Sequence, residues 1–135
     1  MSTILVDNLT GKTSAGSITV TSEGGAATQS LQQGLAKAWI NFNGTGTIAA
    51  RDSLNHSTLT DSGTGKYDIA FTSSMNNDDF SVSNSTGRSL TGYYSAGLTA
   101  LSHLLTTGYS ISTMTSTGGA EDHPQPMMQI TGDLA

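Results

Sequence analysis

Apolar and polar residues alternate most strictly in two places along this chain. Ala38, Ile40 and Phe42 alternate with Trp39, Asn41 and Asn43, and Tyr67, Ile69 and Phe71 alternate with Lys66, Asp68, Ala70 and Thr72. Successive side chains of a strand point to opposite faces, so a period of two predicts a strand with one face buried. Weaker segments of the same kind are Ile4-Leu5-Val6, Ile18 to Thr21, Thr47 to Ala50, Ser57 to Thr60, Phe80 to Ser83, Tyr109 to Met114 and Met127 to Thr131. Turn chemistry separates them: Gly44-Thr45-Gly46, the hairpin loop Asp61 to Gly65, and Asn76-Asn77-Asp78-Asp79. Ala27, Leu31, Leu35 and Ala38 recur instead at helical spacing and predict a short helix. Tyr94, Leu98, Leu101 and Leu105 also fit a helical period, but Gly92, Gly97 and the surrounding Ser and Thr weaken it, so 87–108 reads as a loop with a helical turn.

Short strands at regular intervals predict an all-β fold, a compact antiparallel β-sandwich or jelly-roll-like domain. The expected organisation is an extended N-terminal arm over residues 1–24, a helical connector over 25–36 and the sandwich over 37–135. The two short strands of the arm cannot stand alone in water, so the arm must lie on the main domain or on another chain. With the unpaired stripe of the helix, this marks Ile4, Val6, Leu31 and Leu35 as candidate oligomer-interface residues. Trp39, opposite Ile40 and Phe42 in its strand, joins them, because a large apolar body with a polar tip suits an interface. Tyr93 and Tyr94 are the candidates for a loop that contacts a partner.

Composition sharpens the fold and narrows the chemistry. Charged residues are 11% of the 135, against about 25% in an average soluble protein. Ser, Thr, Gly and Asn replace them, a mixture that favours strands and turns over exposed helices. The formal net charge is −5 with no basic patch, which argues against nucleic-acid binding. There is no cysteine, which excludes disulfides and thiolate metal sites. No apolar run is long enough to span a membrane as a helix. Met1 to Asp7 lacks the features of a signal peptide, so the protein is expected to act in the cell that makes it, or to leave by lysis or within a particle.

Candidate chemistry is sparse. Gly11-Lys12-Thr13 has the tail of a phosphate-binding loop, but Val6 stands where its first glycine belongs. Glu121-Asp122-His123 is the densest set of metal-ligating side chains, reads as a solvated loop tip, and would need a further ligand from His56 or His103. Asn76 to Asp79 lacks the bidentate Glu of a calcium loop. No G-x-S-x-G elbow or carboxylate spacing argues for hydrolysis. Neither a cofactor nor an enzymatic activity is expected.

Ala36-Lys37-Ala38-Trp39-Ile40-Asn41-Phe42, the turn Gly44-Thr45-Gly46, and the hairpin from Leu59 through Lys66-Tyr67-Asp68-Ile69-Ala70-Phe71 resemble a small β domain of virion proteins from phages of marine bacteria and cyanobacteria. The domain ends tail-fibre proteins and also forms short stand-alone fibre or decoration proteins. The resemblance covers residues 36–83 and loosens beyond them, and 87–107 departs from it. It implies a virion component acting as a homotrimer; other capsid or tail proteins and host-surface glycan are the further partners expected of such a part. The roles implied are a short fibre or receptor-binding module or, alternatively, a capsid decoration (cement) protein anchored by its N-terminal arm. The family carries no catalytic motif.

Overall fold

A computed structural model describes residues 3–87 and 98–135. The chain divides into two units, Met1–Leu35 and Ala36–Ala135. In the first, β1 (Thr19–Thr21) and β2 (Thr28–Ser30) pair antiparallel with Val20 opposite Gln29. One helical turn follows, α1 (Leu31–Gly34), capped by the Ser30 hydroxyl, which accepts from Gln33 N at 3.5 Å. The predicted helix over 25–36 is thus cut to a single turn. Thr28–Ser30 is drawn into the hairpin, Gly34 ends the turn, and a helix of that length is marginal by itself. Ala38, counted in its apolar stripe, belongs instead to the sandwich core. Ile4-Leu5-Val6 joins no ladder among the described residues.

The second unit is an antiparallel β-sandwich of two four-stranded sheets. One sheet has the order β4 (Ala49–Leu54), β3 (Ala36–Asn43), β10 (Gln125–Thr131), β7 (Ser81–Gly87). The other has the order β5 (His56–Gly63), β6 (Lys66–Phe71), β9 (Gly108–Met114), β8 (Leu98–Leu105). The first and last strands of the unit, β3 and β10, are therefore neighbours at the centre of their sheet.

The alternation seen in the sequence makes the core. Ala38, Ile40 and Phe42 of β3, with Met128 and Ile130 of β10, face Tyr67, Ile69 and Phe71 of β6 and Tyr109 and Ile111 of β9. Phe80 and Met75 close one end. Aromatic rings meet edge to face across the layer: Phe42 and Tyr67 at 5.0 Å between centroids, Phe71 and Phe80 at 5.7 Å. Each such side chain contributes about 1.5–3 kcal/mol by leaving water.

The chain passes from one sheet to the other at Asn55, the one described non-glycine residue with positive φ (58°). Its amide holds that corner, donating to Ser73 O at 3.0 Å and accepting from Ser73 N at 2.7 Å. The hairpin β5–β6 is tighter than predicted: Asp61, Ser62 and Gly63 extend β5, and only Thr64-Gly65 turns.

Residues 98–105, read from sequence as part of a loop with a helical turn, form the strand β8. A register shift between Leu101 and His103 explains the misreading. The extra residue breaks the period of two, so leucines on different faces of a strand acquire the spacing of one helix face. Tyr93 and Tyr94 lie outside the described residues.

Candidate binding surfaces and the Glu121–His123 loop

The chemistry-bearing loop before β10 is turned inward. Asp122 Oδ1 accepts from Gly65 N at 2.6 Å and lies 3.0 Å from the Tyr67 hydroxyl, which is 2.8 Å from Gly44 O. Burial, and then the hydrogen bond and charge of Asp122, push the Tyr67 phenol far above its ordinary range. Gly44 N donates to His123 O at 3.0 Å. A Cβ on Gly44 would stand 2.5 Å from the Tyr67 hydroxyl and 2.7 Å from His123 O, so only glycine permits this approach. The Thr113 hydroxyl donates to Glu121 O at 2.6 Å, and Glu121 N donates to Thr113 O at 3.1 Å.

His123 is fully buried. Its Nε2 lies 3.2 Å from Met114 O, which makes Nε2 the protonated nitrogen, and 3.6 Å from Glu121 Oε2. Nδ1 has no hydrogen-bond partner among the described residues. The sequence reading of a solvated loop tip is therefore corrected: Gly44, Gly65 and Thr113 fasten this segment across one end of the sandwich. Asp122 Oδ1 is taken up by Gly65 N and the Tyr67 hydroxyl, and the three candidate ligands do not form one site. Among the described residues no three His, Asp or Glu side chains gather as a metal site.

The other two histidines also part company. His56, half-buried, ties the sheets together. Its Nδ1 is 3.0 Å from Trp39 O in one sheet and its Nε2 is 3.0 Å from the Tyr109 hydroxyl in the other. Trp39 O can only accept, so Nδ1 carries the proton and Nε2 accepts from Tyr109. Burial lowers the His56 pKa, opposed by the carbonyls of Trp39 and Leu54. His103 is exposed on β8. No spacing in the sequence pointed to the His56 bridge, whose partners come from distant strands.

The remaining candidates are surfaces. Trp39 is half-buried on the outer face of its sheet, in register with Leu54 on one side and Gln129 on the other. With Met127, Ser83 and Ser85 it lines a shallow depression. On the opposite outer face the exposed Asp68 accepts from the hydroxyls of Ser62 and Ser110, which hold its carboxyl below the usual range.

Exposed large apolar side chains are concentrated elsewhere. Ile4 (83%), Leu5 (89%), Val6 (56%), Leu9, Val20 and Leu35 all belong to the first unit. Leu31 is half-buried there. Among the described residues of the sandwich the exposed ones are Leu54, Leu101 and Leu105, and each lies on an edge strand. Such a distribution suits association with another chain.

No protein-family model, curated protein or solved structure matches this chain.

Proposed function

We propose that the protein is a non-enzymatic structural part of a bacteriophage particle, a short fibre or receptor-binding module that works as a homotrimer and attaches the particle to a host surface. The observation that carries the oligomeric part of this reading is the row of exposed apolar residues Ile4, Leu5, Val6 and Leu9 in the N-terminal unit. Ordinary monomers do not leave such a segment in water, and a second chain would cover it. The phage assignment rests on the resemblance of residues 36–83. In this reading the sandwich supplies stiffness, and Trp39 with the loops supplies weak contacts to glycan that three copies multiply.

The same arm favours a second reading, a capsid decoration protein whose N-terminal segment lies across neighbouring shell subunits. Purified protein added to host cells and to expanded capsids separates the two. Binding to cells or their surface glycan is expected. Binding to capsids alone, at hundreds of copies per particle by quantitative gel, would replace the fibre reading with the decoration one. Binding to neither would remove both.

A further inference from the structure

Among the described residues the sandwich has four edge strands, and they are guarded unequally. An edge strand presents unpaired N–H and C=O groups to any strand that approaches, and charges and bulges are the usual protection. β4 carries Arg51 and Asp52, and its ladder with β3 is bulged. β5 carries Asp61, and its ladder with β6 shifts register twice. On the other side of the sandwich, β7 (Ser81–Gly87) has no charged residue and a continuous ladder. β8 has one register shift in its ladder, between Leu101 and His103, but no carboxylate, lysine or arginine, and its single ionisable side chain is His103. β8 also carries Leu101, 38% exposed, and Leu105, 51% exposed. Leu101 pairs with the buried Ile111 and so faces the seam between the sheets, yet it is left partly open to water.

We infer that the edge of β8, unpaired among the described residues, accepts residues Thr3–Leu9 of a second copy of this chain as a fifth strand of its sheet. This rests on the oligomeric reading above and names the surface that the arm would use. The two partners match in length, pattern and charge. Thr3–Leu9 spans seven residues and β8 spans eight. In an added strand Ile4 and Val6 fall on one face and Leu5 on the other. Ile4 and Val6 then close the seam beside Leu101 and Leu104, and Leu5 meets Leu105 on the outer face. The charged side chain in the segment is Asp7, which faces an edge holding one histidine and no like charge. Main-chain hydrogen bonds supply affinity, and the alternate leucines set the register.

The absence of cysteine makes the test clean. Full-length Val6→Cys is refolded together with a tagged copy carrying Leu101→Cys, His103→Cys or Leu105→Cys, then oxidised and run on a non-reducing gel. Thr60→Cys on the β5 edge is the control, and sedimentation of the unmodified chain runs beside it. At least one β8 position is expected to give a mixed, tag-shifted dimer at least about tenfold above the Thr60→Cys pairing, because neighbouring thiols replace random collision. An oligomer whose β8 positions cross-link no better than Thr60→Cys overturns the strand addition and leaves the oligomeric reading standing. A link that forms only inside single chains of the Val6→Cys/Leu101→Cys double variant overturns it in favour of docking within one chain. A full-length chain that sediments as a monomer overturns both readings. Should Leu101→Cys fail to fold, His103→Cys and Leu105→Cys, both exposed, carry the test.

Discussion

Two hydrogen-bonded groups hold the sandwich together across long stretches of sequence, and each is open to a single-residue test. Tyr67 and Asp122 meet at 3.0 Å beneath the loop that covers one end. Tyr67→Phe keeps the ring in the core and removes the hydroxyl, so it is expected to cost about 1–2 kcal/mol of unfolding free energy in urea. Asp122→Ala should cost a similar amount, and the double variant should lose less than the sum because both break one network.

His56 gives a pH signature. Its pKa is lowered in the folded state, so the unfolded chain takes up a proton more readily as pH falls. Stability contributed by neutral His56 is present above the unfolded pKa of about 6.5 and is lost as pH drops through and below it. Urea midpoints measured from pH 7.5 down to 5.5 should fall for the native chain. His56→Gln should flatten that part of the slope. A native slope that the substitution leaves unchanged would refute the assignment.

At the level of elements, what the sequence disclosed depended on where each strand lies. β3 and β6 are interior strands with one face in the core, and their alternation could be read directly from Ala38, Ile40, Phe42 and from Tyr67, Ile69, Phe71. β8 is an edge strand with a register shift at Leu101/His103, and its leucines imitated a helix. The predicted helix at 25–36 failed for a related reason: an apolar spacing of four says nothing about whether Gly34 or the pull of a hairpin will end the turn. The site was legible in its residues and not in its contacts. Glu121, Asp122 and His123 stood out as a cluster, but the partners that fasten their loop, Gly44, Gly65, Tyr67 and Thr113, are distant in sequence, and only Gly65 and Tyr67 engage a ligating side chain, that of Asp122. The glycines there are required by close approach, a demand that only the packed structure reveals.

The corner between β4 and β5 offers a test at this scale. Asn55 holds a left-handed conformation that costs most L-residues about 1–2 kcal/mol. Asn55→Ala should lower stability by about that amount plus the loss of both Ser73 hydrogen bonds, about 1 kcal/mol each. Asn55→Gly, which keeps the backbone conformation without strain, should lower it less. Chemical denaturation of the three proteins at one pH checks the order.

At the scale of the whole molecule, residues 36–135 carry the sandwich and its core, and among the described residues six of the nine exposed large apolar side chains belong to residues 1–35. The proposed assembly through residues 1–35 rests on that division. Sedimentation equilibrium of the full chain beside a version lacking residues 1–35 tests this most directly. The account predicts three times the chain mass for the full protein and a folded, β-rich monomer for the shortened one. A full-length monomer, or a shortened protein that still assembles as a trimer, would contradict it.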